Sequence, residues 1–232
     1  HVRPVLNLKE EAGVRAMRAI AEETLELVRR FRGSHSGEHG DGLVRSAWHP
    51  RVFGERLVRA FEAVKDAFDP DAVFNTAPSK IVRAPEMDDR RLFRFPPDYG
   101  RNALPVDTRL DWSAWGGLLP AVEMCNNNGA CRSMAGGVMC PSFRATRDEA
   151  HVTRGRANVL RLALSGQLGP DALDGPEMRE AMALCGGCKA CRRECPTGVD
   201  MARMKLELMA RWHERGGGPW RERLIAGLPR FA

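Results

Sequence analysis

Four cysteines within eleven residues, Cys185, Cys188, Cys191 and Cys195, followed at once by Pro196, constrain this chain more than any other feature. Two residues separate each of the first three thiols and three separate the last pair. A C-x2-C-x2-C-x3-C-P run lets three thiolates converge on one small iron–sulfur cluster, and its fourth thiol ligates the other cluster where a protein has two. Structural zinc usually pairs two C-x2-C knuckles across a longer gap. The spacing therefore favours iron and sulfide over zinc.

A degenerate copy of the run lies upstream. Cys125 and Cys131 match its first and third thiols, and Asn128 stands where the second should be. Cys140, before Pro141, matches the fourth, with five extra residues intervening. Crossed ligation then gives two sets. Cys185, Cys188, Cys191 and Cys140 bind one four-iron cluster, and Cys125, Cys131 and Cys195 remain as three thiols. The second set either holds another cluster with a missing or non-cysteine ligand or is structural. In the latter case Cys195 can serve the complete cluster in place of Cys140. One 4Fe-4S cluster is expected, and a second is left open.

Composition narrows the setting. Of 232 residues, 43% are hydrophobic, enough for a core, and no apolar run approaches the roughly 18 residues of a membrane span. Seven cysteines cannot all pair, which points to a reducing compartment. The expected location is cytoplasmic, with peripheral contact at the inner membrane left open. The net charge of +6 comes from arginines scattered among acids rather than gathered in a stripe, so no nucleic-acid partner is expected. A start at His1 without methionine and a stop at Ala232 without a terminal signature suggest a fragment.

In chain order, Val2 to Leu6 reads as a strand and Asn7 as a helix cap. Val14, Met17, Ala21, Leu25 and Val28 then recur at helical steps. The loop from Ser34 to Gly42 gathers Glu38, His39 and Asp41 among three glycines. It is suited either to a metal held by Glu38 with His39 as proton acceptor or to a plain polar turn. Leu57, Phe61, Val64 and Phe68 mark a second amphipathic helix closed by Asp69-Pro70, and Val73–Asn75 and Lys80–Val82 read as extended, packed on a sheet. Residues 84–120, punctuated by prolines, read as a linker. Further helices are expected around Val152–Leu164, with a capping box at Thr146 and Glu149, at Pro176–Leu184, and after Asp200. Cations at Arg154 and Arg156 sit at a helix start, where their expected use is to offset cluster charge.

The loop S-G-E-H-G-D-G at 36–42, then L-V-R-S, F-D-P-D at 68–71 and N-T-A-P-S-K-I-V at 75–82 resemble the end of the FAD-linked oxidase C-terminal domain over residues 1–83. That family includes D-lactate, glycolate and D-2-hydroxyglutarate dehydrogenases. The resemblance implies that Glu38 and His1 ligate a divalent metal of zinc or manganese type and that His39 is the catalytic base. The sequence has N-T-A-P-S-K-I-V where the family more often has N-P-G-K, which leaves the role of Lys80 open. Residues 121–215 resemble the all-α ferredoxin domains of succinate dehydrogenase and glycolate oxidase iron–sulfur subunits. The expected fold is thus an α+β segment (1–83), a linker (84–120), an all-α ferredoxin-like domain (121–215), and the start of a further segment (216–232).

Together the resemblances imply an FAD-dependent dehydrogenase of a D-2-hydroxy acid, passing electrons through iron–sulfur clusters to a quinone or a carrier protein. The alternative is an electron-transfer module without catalysis of its own. A third reading, zinc-stabilised nucleic-acid binding, is weak.

Overall fold

A computed structural model describes residues 3–75, 82–216 and 220–228. The chain divides into two units, His1–Tyr99 and Gly100–Ala232, so that residues 84–99 lie in the first and 100–120 in the second.

In the first unit, α1 spans Glu11–Arg30 and buries Val14 and Leu25, two members of the expected stripe. Glu10 rather than Asn7 occupies its N-cap position. The Asn7 side chain instead accepts the Lys9 N–H at 3.2 Å, making a turn before the helix. The Asn7 carbonyl lies only 2.0 Å from where a Cβ on Gly13 would sit, so a glycine is required at that close approach. Three short helices follow: α2 (Gly42–Arg45), a 3-10 turn (Ser46–Trp48) and α3 (His49–Phe53). Leu25, Trp48 and Met87 form a small core with Met17, Ala21 and Val52. Arg18 ties α1 to the returning chain through Glu86 at 2.9 Å and Asp88 at 2.7 Å. Arg18 and Arg51 each lie 5.4 Å from the Trp48 ring centroid.

Helix α4 (Glu55–Phe68) forms where the periodicity predicts it. Its stripe of Leu57, Phe61, Val64 and Phe68 nevertheless remains exposed within the unit. Asp69 ends the helix, accepting the N–H groups of Val73 at 2.8 Å and Phe74 at 3.0 Å.

The α+β expectation for this segment is not met among the described residues, which contain no strand. Residues 3–6 adopt no regular secondary structure, and Val5 is 99% exposed. Val73 and Phe74 are likewise exposed rather than packed on a sheet. A strand persists only where a neighbour takes up its backbone hydrogen bonds, and no described segment does so here. Lys80 and Ile81 lie outside the described residues.

The second unit is helical: α5 (Leu118–Glu123), α6 (Pro141–Thr146), α7 (Thr153–Leu164), α8 (Pro176–Ala183), α9 (Ala190–Glu194), α10 (Met201–Gly216) and α11 (Trp220–Gly227). Its core gathers around α7, where Leu160, Ala163 and Leu164 meet Val122, Met178, Met182, Met204 and Leu208, all buried. The methionines recur at helical spacing as core. Asp200 caps α10 by accepting the Arg203 N–H at 3.0 Å, as expected. The capping box does not form. Thr146 closes α6, and Asp148 caps a 3-10 turn by accepting the Ala150 N–H at 2.8 Å.

Residues 100–112 fold onto this core. Leu104 N–H donates to the Leu164 carbonyl at 2.8 Å. Glu207, buried on α10, accepts from the N–H groups of Arg109 and Leu110 and from Trp112 Nε1 at 2.8 Å. A buried carboxylate is stable when hydrogen bonds replace its water, and these three donors do so.

Candidate functional site

Cys140, Cys185, Cys188 and Cys191 line one cavity of about 260 Å³, closed by Leu184, Met201 and Ala202. The C-x2-C-x2-C spacing winds the last three thiols around the turn into α9, with Lys189 in the left-handed conformation just before that helix. Cys140 arrives from the other run, at the N-cap position of α6. Two soft donors are buried, Cys185 is half-buried and Cys188 is exposed. Four convergent thiols with an apolar lid suit a four-iron cluster.

The electrostatics fit the same group. Arg156, at 0% exposure, directs Nη1 to Cys140 Sγ at 3.6 Å and Nη2 to Ser142 Oγ at 3.0 Å, and anchors Nε on the Ala181 carbonyl at 2.6 Å. Burial pushes the Cys140 thiol up, but hydrogen bonds from Ser142 and Thr153 and the Arg156 charge together hold it below its ordinary value. Burial pushes the Cys191 thiol up, partly offset by the Met201 and Ala202 N–H groups at the start of α10.

The remaining three thiols are less clearly joined. Cys125 and Cys131 are buried and share the field of Arg154. Burial raises the Cys131 thiol, against the Arg154 N–H. The 3-10 turn bearing Cys131 packs on α9, after which Cys195 follows with Sγ 3.3 Å from Thr197 Oγ1. Burial pushes the Cys195 thiol up, and hydrogen bonds from Thr197 and nearby N–H groups bring it below its ordinary value. Asn128 is exposed and turns its side chain to Ala130 N–H and Asn126. Asn127 Oδ1 lies 3.7 Å from Cys125 Sγ.

Glu194, inside the cysteine run, holds the five-residue insertion. Its carboxylate accepts the N–H groups of Val138 at 3.0 Å and Met139 at 2.9 Å, beside Cys140. Nothing in the spacing of the run marks a carboxylate for this task.

In the first unit, Glu38 and His39 stand on the exposed lip of their loop, 3.3 Å apart. His39 shares an open cavity of about 580 Å³ with Arg3, Asp41 and Arg45. His1, the other expected ligand, lies outside the described residues. Beneath the lip, His49 Nε2 lies 2.9 Å from Asp41 Oδ2 and His35 Nε2 lies 3.5 Å from Asp41 Oδ1. Burial lowers the pKa of His35. It raises that of Asp41, but the His49 and Ser36 hydrogen bonds and the two imidazoles bring the carboxyl below its ordinary value. The sequence reading did not bring these three together, since thirteen residues separate His35 from His49.

Comparison with known proteins matches two stretches of the chain to families. The C-terminal domain of FAD linked oxidases matches residues 1–79, and the 4Fe-4S dicluster domain matches residues 121–199. The chain joins an FAD linked oxidase C-terminal domain to a 4Fe-4S dicluster domain. The oxidase domain carries the Glu38–His39 lip, and the dicluster domain carries all seven cysteines. Over 98% of its length the chain is 32% identical to D-2-hydroxyglutarate dehydrogenase of Pseudomonas putida, and over 100% it is 29% identical to proteins of that name from Escherichia coli and Pantoea ananatis. It spans about a quarter of the length of each. No solved structure matches it. Among the described residues no helix is long and apolar enough to cross a membrane.

Proposed function

We propose that this chain is part of an FAD-dependent dehydrogenase of a D-2-hydroxy acid, of D-2-hydroxyglutarate or D-lactate type, which passes electrons through its iron–sulfur domain to a quinone or a carrier protein. What carries the reading is the union, in one chain, of an oxidase loop presenting Glu38 and His39 with four thiols converging on one cavity. Similarity along nearly the whole chain to D-2-hydroxyglutarate dehydrogenases supports it.

His39 opens onto a cavity that Arg3 and Arg45 also line. The two guanidiniums suit a carboxylate substrate, and His39 takes the proton of its 2-hydroxyl. Glu38 and His1 are the residues that would hold a divalent metal of zinc or manganese type, which supplies Lewis-acid polarisation of the hydroxyl when bound. FAD, when bound, supplies the two-electron acceptor. Cys140, Cys185, Cys188 and Cys191 hold the one-electron carrier, and Arg156 offsets its charge.

Anaerobic mixing of the full-length protein that carries this chain with a panel of D- and L-2-hydroxy acids tests this. Flavin bleaching by a D-acid, followed by reduction of the cluster signal, is expected. Clusters reducible by dithionite, with no hydroxy acid bleaching the flavin, would leave only an electron-transfer module.

A further inference from the structure

The geometry points to a second, buried metal site in the oxidase domain: a divalent ion of the zinc class held by His35, Asp41 and His49. One ligand atom from each residue lies within 4.8 Å of the other two. Tetrahedral zinc with ligands near 2.1 Å holds neighbouring donors about 3.4 Å apart. The 3.5 Å between His35 Nε2 and Asp41 Oδ1 already matches that edge, and the 2.9 Å between Asp41 Oδ2 and His49 needs only a slight opening.

The second observation is an unpaid polar debt. The His35 side chain is 7% exposed, yet neither of its ring nitrogens, nor Asp41 Oδ1, finds a hydrogen-bond partner. Each such group, buried without a partner, destabilises the fold. One ion between His35 Nε2 and Asp41 Oδ1 satisfies both. The surroundings are dry, with the Phe53 ring 5.6 Å from His35 and 5.3 Å from His49. Arg45 is a neighbouring cation, and its Nη1 is directed to the Gly40 carbonyl at 3.0 Å.

The site is separate from the lip. His35 and Asp41 flank Glu38 and His39 in sequence, and His49 comes from α3. The ion would therefore pin both ends of the loop from beneath, whatever the lip itself binds. The inference does not rest on the function proposed above.

Zinc per chain, counted by elemental analysis in the zinc-saturated full-length protein, tests it. Gln in His49→Gln keeps a donor for Asp41 but is a poor zinc ligand. This variant should lose one zinc while keeping its flavin and iron, and Glu38→Gln should leave that zinc in place. Unchanged zinc in His49→Gln overturns the proposal, as does a wild-type protein that takes up none. A single zinc that both substitutions remove also overturns it, because the triad would then only support the lip. If His49→Gln does not keep flavin and iron, His35→Leu, which fills an apolar surrounding, is read the same way.

Discussion

The guanidinium of Arg156, without exposed surface, lies 3.6 Å from the sulfur of Cys140. A buried cation is stable only beside compensating negative charge, and the proposed thiolate-bound cluster would supply it. Arg156→Met removes the cation and keeps the bulk. The bound cluster should become harder to reduce, its potential falling by about 60 mV, a tenfold change in a one-electron equilibrium. A potentiometric titration followed by electron paramagnetic resonance measures this, and an unmoved potential would separate Arg156 from the cluster.

The proposed crossed ligation would distinguish two cysteines that stand in equivalent places in their runs. Cys140→Ser should cost the protein about four iron per chain, or leave an altered cluster. Cys195→Ser should leave the cluster in the Cys140 cavity intact. Iron and acid-labile sulfide counts on anaerobic protein decide between this and the reverse pattern.

Loss of the lip imidazole should touch chemistry alone. His39→Ala is expected to lower kcat for the hydroxy acid by about 10²–10⁴, the usual contribution of a general base. Iron content should not change. Undiminished turnover would remove His39 from the reaction.

Glu207 closes residues 109–112 onto α10 through three donors, one of them Trp112 Nε1. Glu207→Ala strands those donors and should destabilise the second unit by about 3 kcal/mol. Urea unfolding followed by tryptophan fluorescence reads the loss. A shift below about 0.5 kcal/mol would show that water replaces the carboxylate without penalty.

A pH test applies to Asp174, which Arg211 holds below the ordinary carboxylate range across a 2.7 Å contact. A carboxyl lowered in the folded state contributes stability above its unfolded pKa and loses it as pH falls through the folded value. Arg211→Ala should therefore destabilise by about 1 kcal/mol. The deficit should be flat from pH 7 to 5 and shrink only below about 4. Denaturant midpoints at pH 7 and 5 test the flat part, and a deficit already halved at pH 5 would contradict it.

Spacing made the grouping of Cys185, Cys188 and Cys191 around one cavity legible because thiols close together in sequence must be close in space. Cys140 was readable despite its insertion because Pro141 marks the end of a run. The helices α1, α4, α7 and α10 announced themselves through periodicity. Periodicity did not say whether a stripe is covered, as exposed Phe61 and Phe68 show. Alternation at Val2–Leu6 could not supply a pairing strand. The His35, Asp41 and His49 cluster was invisible because only the turn through Trp48 folds residue 49 back onto the loop. Arg156 looked like one of several cations at a helix start until its burial set it apart.

Glu194 grips the loop before Cys140 by backbone amides alone. Gly137 has a left-handed φ of +60°, and a Cβ there would come within 2.5 Å of the Glu194 carboxylate, so a larger residue would have to displace that grip. Met134 and Val138, by contrast, face outward. Natural variation can therefore alter this rim without disturbing the sulfur that Cys140 presents. The carboxylate separates what selection can alter from what it must keep.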